Sequence, residues 1–391
     1  MVQYTEDLIN YSRFRDLPGA VYTRSGVAYQ QNASGVWVPF EENVPPISAG
    51  VGLGVWEAAT NLLLQSGRMD NASWSKISGA TVALVSGAPD GTSTFAKVTA
   101  AGGNTSSRIQ QSAAVSAASV YMASVYIAAD TAASSRLAVF DGAVGTQIAA
   151  VVVNWAGGVP SLGTINGTFA VAPALTQLGT TGIWHLTGGV NSGAFTSLAM
   201  LLYPDYTAGL NSTKFWGAEF KLGSYVTPYV ATTSAAATRG APSAYLNAPG
   251  VLVPPFTVQV WAQLSAIDGV GRVLASISDG TNANRLQLER SSGNFAILQF
   301  DGGTGTGPSP FSGKTGARLL KMALRVRDTS LSLCCDGAGP NTATGITLPP
   351  NLSVVRLGAS PVNAIQVNGD ITRFQIINRD VTDAELQALT Q

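Results

Sequence analysis

The sequence predicts an all-β protein with two tandem jelly-roll or β-sandwich domains, preceded by a small N-terminal β segment and followed by a short C-terminal helix. Only 11% of the 391 residues are charged and glycine occurs 43 times, a composition typical of many short strands joined by tight turns. Apolar and polar residues alternate in short runs, with Asp-Gly and related turn signals between them. Helical periodicity is confined to the last few residues.

The alternation predicts eight clear strands along the chain. They are Val120 to Ile127, Arg136 to Phe140, Gln147 to Val153, Thr196 to Leu202, Phe256 to Trp261, Arg285 to Leu288, Phe295 to Phe300 and Met322 to Val326. Turn signals such as Asp141-Gly142 and Asp336-Gly337 separate them. Short strands at this spacing are typical of sandwiches and jelly rolls.

The predicted helix lies in residues 380–389. Asp380 or Thr382 can cap its N-terminus, and acidic residues in the following turn suit the positive end of the helix dipole. Leu386 and Leu389 fall on one face. We therefore expect a short terminal helix packed on the last domain.

Two changes in composition predict domain boundaries. A Gly- and Pro-rich run ends before residues 58–65, and an Ala-, Thr- and Ser-rich tract occupies residues 232–243. The tract is too poor in large apolar residues to form a core, which predicts a hinge. The resulting parts are an N-terminal segment (1–57), a middle domain (58–240) and a C-terminal domain (241–391).

Charge and cysteine content narrow the function classes. The 22 basic and 22 acidic residues cancel, so bulk charge does not attract the protein to nucleic acid or an anionic membrane. Residues 142–204 lack charge, but glycine, proline and asparagine interrupt them well short of a spanning helix, and membrane insertion is not expected. The start shows no secretory signal. Two adjacent cysteines form no disulfide framework, which favours synthesis in a reducing cytoplasm.

The middle part resembles a known family in three blocks. They are EAATNLLLQSGRMDNASW (57–74), APDGTSTFAKVT (88–99) and FWGAEFKLGSYVTPYVATTSAAATR (215–239). In this order they resemble a carbohydrate-binding-module-like jelly roll found in bacteriophage tail-fibre and other virion proteins. Ala59 stands where the family usually has a basic residue, so an ion pair made there in relatives is not expected here.

The C-terminal part resembles concanavalin-A-like, laminin-G-like jelly rolls. FTVQVWAQL, LSLCCDGAG and GDITRFQIINRDVTDAELQAL are similar to an early strand, a strand with its Asp-Gly hairpin, and the closing strand with its final helix. The last block is the most specific of the three.

Together the resemblances imply a structural and adhesive component of a phage or phage-like virion, a head or tail fibre or spike. It would be made in the host bacterial cytoplasm and bind host-surface glycan without cleaving it. The N-terminal segment would dock onto other virion proteins or assemble a homo-oligomer, a trimer or another cyclic form. Two alternatives stay open: a polysaccharide-active depolymerase or lyase of a tail spike, and a capsid decoration protein without ligand.

Glycan binding by jelly rolls generally uses aromatic rings edged by polar groups. The segment LLYPDYTAGLNST is the least core-like aromatic segment of the chain. A basic cluster of Lys314, Arg318, Lys321, Arg325 and Arg327 could also meet an acidic group. The predicted glycan-binding residues are Tyr203, Asp205, Tyr206, Asn211, Trp155, Arg325 and Arg327.

No cofactor is expected, except that calcium could be held by loop oxygens, as in many lectin-like jelly rolls. The predicted ligands are Asp279, Asn282 and Asp301. The same residue types at turns are also ordinary turn formers, which is the competing interpretation.

Enzymatic machinery is hard to find in this sequence. His185 is the single histidine and no Gly-x-Ser-x-Gly segment accompanies it, so no catalytic residue is predicted. His185 is expected to be a structural strand residue. The pattern also predicts that Cys335 points into the core and Cys334 away from it.

In KFWGAEFKLG, simple alternation places Trp216, Ala218, Phe220 and Leu222 on the core face of a closing strand. Glu219 and its neighbours would take the other face. Trp216 is therefore predicted to be a core residue and not part of a sugar platform.

Overall fold

The structure is a computed structural model that describes residues 4–7, 14–92, 94–265, 271–291, 294–305, 311–312 and 319–391. The chain divides into two compact units. Unit 1 comprises residues 1–30, 40–58 and 240–391, and unit 2 comprises residues 31–39 and 59–239. Among the described residues, no helix has the length and apolar character needed to cross a membrane.

Strands make up nearly all of the regular structure. The first eleven are β1 (Tyr4–Asp7), β2 (Ala20–Thr23), β3 (Ala28–Gln31), β4 (Trp37–Phe40), β5 (Ile47–Ser48), β6 (Gly52–Val55), β7 (Ala59–Asn61), β8 (Ser75–Ile77), β9 (Thr81–Val85), β10 (Phe95–Thr99) and β11 (Arg108–Ala114). The next ten are β12 (Val120–Ala128), β13 (Ser134–Asp141), β14 (Gln147–Ala156), β15 (Val159–Gly167), β16 (Val171–Gln177), β17 (Ile183–Asn191), β18 (Ser197–Tyr203), β19 (Ser212–Leu222), β20 (Ala237–Arg239) and β21 (Ser243–Asn247).

The last eleven strands are β22 (Phe256–Leu264), β23 (Arg272–Ser278), β24 (Arg285–Ser291), β25 (Asn294–Asp301), β26 (Thr304–Gly305), β27 (Phe311–Ser312), β28 (Leu319–Arg327), β29 (Ser330–Cys335), β30 (Asn341–Thr344), β31 (Val354–Leu357) and β32 (Gly369–Ile377). A 3₁₀ turn spans Phe14–Asp16, and α1 spans Asp383–Ala388. The predicted all-β class is confirmed, and each of the eight predicted strands falls on an observed one.

Unit 2 is a sandwich of two six-stranded sheets. One sheet has the order β16-β17-β12-β19-β10-β9 and the other has the order β15-β14-β13-β18-β11-β8. Side chains from both sheets meet in one apolar core that includes Val125, Leu137, Val151, Met200 and Phe220. Because side chains alternate along a strand, each sheet also carries an outer face.

Unit 1 is likewise a sandwich, with two eight-stranded sheets. The first runs β30-β29-β28-β22-β32-β6-β5, with β1 paired to β32. The second runs β2-β21-β31-β23-β24-β25-β26, with β27 paired to β25. Residues such as Val258, Leu274, Leu286, Leu324 and Phe374 fill the core between them.

The N-terminal residues supply strands to unit 1. β2 pairs with β21, and β6 pairs with β32. The tract at residues 232–243, predicted as a hinge, contains β20, which pairs with β7, and β21 begins at its end; the division between the two units falls within it, after residue 239. Small polar residues can form strands where backbone hydrogen bonds are available from a neighbour. The docking role of residues 1–57 stays a prediction.

The C-terminal helix α1 begins with a capping box. The Thr382 hydroxyl accepts from the backbone N–H of Glu385, and the Glu385 carboxylate accepts from the backbone N–H of Thr382 at 2.7 Å. Leu386 packs on Cys334 on the outer side of β29, whereas Cys335 lies in the core between the sheets. The predicted orientation of the cysteines is correct. Burial raises the pKa of Cys334 to about 11.

The alternation predicted for the closing strand β19 is wrong at its start. Tyr126 pairs with Trp216 but Ser124 pairs with Glu219, so β19 carries one extra residue, a β-bulge, between these pairs. The bulge includes Gly217, whose φ is 61°. It moves Trp216 to the outer face of the sheet while Phe220 stays in the core. Trp216 is nonetheless buried, and Leu222 is exposed.

Candidate functional site

The candidate site of unit 2 lies on the outer face of its β15-to-β8 sheet. Leu202 belongs to the core, so the next side chain along β18, Tyr203, points to the opposite side. Strand register places Arg136 of β13 directly beside Tyr203, and Arg108 of β11 flanks the same ring. We call Arg108, Gln110, Arg136, Tyr203 and Tyr206 the arginine–tyrosine face.

Aromatic rings and guanidiniums interleave on this face. The ring centroids of Tyr203 and Tyr206 are 5.9 Å apart and nearly perpendicular, at 77°. The guanidinium carbon of Arg136 lies 5.2 Å from the Tyr203 centroid and 4.6 Å from the Tyr206 centroid. That of Arg108 lies 5.7 Å from the Tyr203 centroid. These distances are within the range of cation–π attraction, which fixes the orientation of all four side chains.

Small apolar residues pack beside these rings. A separate apolar cluster on the outer face consists of Ala138, Ala150, Ala199, Leu201 and Tyr203, with Tyr206 packed against it. The three alanines and Leu201 have no exposed surface and Tyr203 is 6% exposed, so other side chains cover this part of the sheet. Tyr206 is half-buried, and its ring is the part of the cluster that a ligand can touch.

Asp205 organises the loop that carries Tyr206. Its side chain is fully buried, and its carboxylate accepts from the backbone N–H groups of Ala208 at 3.1 Å, Leu210 at 3.2 Å and Asn211 at 3.1 Å. Although burial raises the pKa of Asp205, these donors and the Asn211 amide lower it overall. Asp205 therefore holds the loop in shape and offers no free oxygen to a ligand.

Asn211 is part of the same brace, because its side-chain amide donates to Asp205 at 2.8 Å. Of the predicted loop residues, Tyr203 and Tyr206 face outward and Asp205 and Asn211 support them. The structure thus divides the four predicted residues into two tyrosines on the outer face and two residues that support their loop, and a role of the segment in glycan binding stays a prediction.

The arginines differ in their hydrogen bonding. Arg108 is half-buried, and its Nε donates to Gln110 at 2.8 Å. Arg136 is only 7% exposed. Its Nη2 donates to the Gln147 side chain, and its buried Nε has no hydrogen-bond partner.

A polar pocket adjoins the face at Gln110. It has a volume of about 350 Å³ and is lined by Leu64, Ser73, Ser75, Gln110, Gln111 and Ser112. Three hydroxyls and an outward-facing amide can both donate and accept hydrogen bonds. Gln111 is engaged in the scaffold, since its amide donates to the carbonyl of Leu64 at 3.0 Å. Neutral donor–acceptor groups of this kind match the hydroxyls of a sugar.

Sequence reasoning missed Arg108, Gln110 and Arg136. Each lies in a strand, where an isolated polar residue on the outer face resembles ordinary solvated surface. Only the antiparallel register, which sets Arg136 opposite Tyr203, brings them beside the tyrosines.

Trp155 lies elsewhere in unit 2. It packs against the core between the sheets, and its indole N–H donates to the Ser135 hydroxyl at 3.1 Å. It is therefore on the side of the sheet opposite Tyr203. We leave it out of the candidate site.

The predicted basic residues of unit 1 hold the C-terminal helix. Arg325 is buried, donates to the carbonyl of Val381 at 2.9 Å and forms an ion pair with Asp383 at 2.7 Å. Arg327 donates to Asp380 at 2.8 Å. The two guanidiniums are thus engaged in anchoring α1, and their assignment as glycan ligands stays a prediction. Lys314 and Arg318 of the same cluster lie outside the described residues.

The predicted calcium ligands occupy turns of unit 1. Asp279 Oδ1 accepts from the backbone N–H of Thr281 at 2.8 Å, and its Oδ2 accepts from the Asn284 amide at 2.7 Å. The Asn282 carbonyl accepts from Arg285, and Asp301 closes the β25–β26 hairpin. In the described part of the chain, no group of three or more His, Cys, Asp or Glu residues is placed to hold a metal ion. The contacts of Asp279 and Asn282 are those of turn formation, and calcium binding stays a prediction.

His185 is enclosed in a second aromatic cluster of unit 2. This cluster, on the outer face of the β16-to-β9 sheet, consists of Trp37, Tyr126, His185, Trp216 and Tyr229. Burial, together with the nearby charge of Lys221, lowers the pKa of His185 to about 3. An imidazole enclosed in this way cannot touch a substrate, so it has a packing role.

Comparison with known proteins yields distant structural similarities only. No protein-family model matches the chain, and no curated protein matches it. Three solved structures illustrate the similarities. The Ruminococcus gnavus IT-sialidase CBM40 bound to alpha2,3 sialyllactose is 16% identical, covers 37% of this chain and 90% of its own, and has a TM-score of 0.29.

The N-terminal CBM22-1-CBM22-2 tandem domain of Paenibacillus barcinonensis Xyn10C is 13% identical. The match covers 84% of this chain and 99% of that domain pair, with a TM-score of 0.29. Domains LG4-5 of the mouse laminin alpha1 chain are 11% identical. The match covers 88% of this chain and 95% of those domains, with a TM-score of 0.24. Similarity at this level does not identify a ligand, and it does not bear on a virion origin.

Proposed function

We propose that this protein binds glycan through the arginine–tyrosine face of unit 2 and does not cleave it. The observation that carries the proposal is the grouping of Tyr203, Tyr206, Arg108 and Arg136 on one face, next to a pocket of hydroxyls and amides. Sugar rings offer apolar C–H faces to aromatic rings and hydroxyls to neutral polar groups. Both kinds of partner are present on one side of one sheet.

We further propose that the protein serves as a structural and adhesive component of a phage or phage-like virion. The support is the resemblance of residues 57–74, 88–99 and 215–239 to jelly rolls of such particles. The proposal includes attachment to other virion proteins and a cyclic homo-oligomer, in which several weak sites would act together. Immunogold labelling of purified particles tests the virion location. Measurement of the protein's mass in solution tests the homo-oligomer.

Glycan binding is tested with the full chain on a glycan array and by calorimetry with each array ligand. Tyr206→Ala is expected to weaken binding by about tenfold, the loss typical of an aromatic anchor. Tyr225→Ala, which removes another half-buried tyrosine of unit 2, is the control and should bind as the wild type does. Equal affinity of Tyr206→Ala and the wild type would contradict the assignment of the face.

Cleavage is measured on the same samples as release of reducing sugar. Binding without release supports the adhesive function. Release that persists in the purified protein and disappears on replacing one pair of acidic residues would establish the depolymerase or lyase alternative instead. A protein that binds no glycan of a broad array would overturn the glycan proposal and leave the decoration alternative.

A further inference from the structure

We infer that the glycan recognised by the arginine–tyrosine face is acidic, with a carboxylate that pairs with Arg108 above the buried charge of Arg136. The inference rests on the proposed glycan function and specifies its ligand class. It starts from an imbalance of charge: two guanidiniums approach one tyrosine ring, at 5.7 Å and 5.2 Å. Within the part of the chain that the structure describes, neither arginine forms an ion pair with a carboxylate.

The acidic residue of the adjoining loop does not pair with them. Asp205 follows Tyr203 by two positions, but its oxygens accept from the backbone of its own loop and from Asn211. The interactions that set the pKa of Asp205, burial first and then these donors, include no arginine. The positive charge of the face is therefore left without a counter-charge from the loop beside it.

Burial makes this imbalance costly for Arg136. Its side chain is more than nine-tenths buried, and its Nε has no partner. The two tyrosine rings attract the cation through their faces, but a ring face offers no lone pair to an N–H group in the guanidinium plane. Isolated buried charges are unfavourable, and elsewhere in unit 2 a buried cation is paired: Lys221 lies 2.9 Å from Glu219. An anion from outside would compensate Arg136 in the same way.

Accessibility decides which arginine meets the anion. Arg108 is half-buried at the border of the face, and its Nη2 remains available after Nε has bonded to Gln110 and Nη1 to the carbonyl of Ser106. A carboxylate at Arg108 would place the attached sugar ring toward the hydroxyls of Ser75 and Ser112 in the adjoining pocket. Arginine suits this role because its planar fork matches the two oxygens of a carboxylate.

The experiment compares matched acidic and neutral sugars with the full-length protein. The probes are 3′-sialyllactose with lactose, and tetragalacturonate with its carboxyl-reduced tetrasaccharide, each measured by calorimetry at low and high salt. In at least one pair the acidic member should bind about tenfold more tightly, the contribution of one charge-assisted hydrogen bond, and high salt should reduce the difference.

Arg108→Gln should abolish the preference, so that the acidic and the neutral member of each pair bind the variant equally. Lys214→Gln removes one positive charge from the other sheet of unit 2 and is the matched control, with the preference expected to stay. Equal affinity within both pairs, or a preference that survives Arg108→Gln, overturns the inference while binding itself still supports the glycan function. If no probe and no array glycan binds, both proposals fail.

Discussion

The imidazole of His185 lies flat against the phenol ring of Tyr126, with ring centroids 4.3 Å apart and planes 8° from parallel. The two residues are direct partners across β17 and β12. The buried Nε2 of His185 has no hydrogen-bond partner. Protonation would therefore place a positive charge in an enclosed site where nothing accepts the new hydrogen.

We expect the burial of His185 to make unit 2 less stable in mild acid. The pKa of His185 is lowered to about 3 by burial and by Lys221, so from about pH 6.5 downward the unfolded chain binds a proton that the folded chain does not. The stability that His185 contributes is full above pH 6.5 and decreases by about 2 kcal/mol between pH 7 and pH 5. Hydrogen exchange of β12 and β17 measures this loss. His185→Gln, which cannot titrate, should show a correspondingly weaker dependence on pH, and an unchanged slope would contradict the assignment.

Asp370 gives the stability of unit 1 the opposite dependence on pH. Burial raises the pKa of Asp370 to about 7, a rise only partly offset by the hydrogen bond that Gln30 donates at 2.9 Å. Between about pH 4 and pH 7 the folded chain retains a proton that the unfolded chain loses, so stability decreases as pH rises, by up to about 3 kcal/mol. Exchange protection of β32 should follow this trend in the wild type. In Asp370→Asn the trend should be absent.

Lys221 and Glu219 form a buried ion pair whose members are costly to separate. Their charged atoms are 2.9 Å apart, and Glu219 also accepts from the backbone N–H of Val230 at 2.8 Å. Lys221→Met should destabilise unit 2 by about 3 to 5 kcal/mol, because it leaves an uncompensated carboxylate in the interior. Adding Glu219→Gln should recover most of that loss in urea unfolding. Additive losses from the two changes would show that the residues do not act as a pair.

Trp216 is expected to be a structural residue of unit 2. It is 2% exposed, packs on Tyr229 at 4.5 Å between ring centroids, and donates its indole N–H to Thr94 at 3.1 Å. Trp216→Ala should cost about 3 to 5 kcal/mol and unfold unit 2 under mild denaturing conditions. Leu222→Ala, at an exposed position of the same strand, should be nearly neutral. A cooperative, wild-type-like unfolding transition in Trp216→Ala combined with lost glycan affinity would instead make Trp216 a ligand residue.

Local pattern was sufficient for most of the secondary structure. Strands such as β12 and β28 combine alternation with flanking turn residues, and their positions were predicted directly. The helix α1 was equally predictable, because Thr382 and Glu385 form a capping box at its N-terminus. The side of the sheet on which Trp216 lies could not be predicted in this way. A bulge adds one residue to β19, so the residues before it alternate in the opposite sense to those after it.

The candidate site was predictable only in part. The chain from Tyr203 to Asn211 has the composition of a binding loop, and it lies on the proposed face. Its partners Arg108 and Arg136 come from strands more than sixty residues earlier, and no local pattern relates them to it. The ion pairs of Arg325 and Arg327 could not be predicted for a similar reason. The helix that they anchor follows more than fifty residues later in the chain.

By itself the sequence determined the all-β class, the main strands, the capped terminal helix and the segment that carries the tyrosines, because each depends on residues close together in the chain. The tertiary structure alone decided which polar side chains share a face. Antiparallel register set Arg136 beside Tyr203, and burial separated Asp205, which braces its loop, from Arg108, which is half-buried at the border of the proposed face. Register and burial depend on contacts between distant parts of the chain, and these contacts exist only after folding.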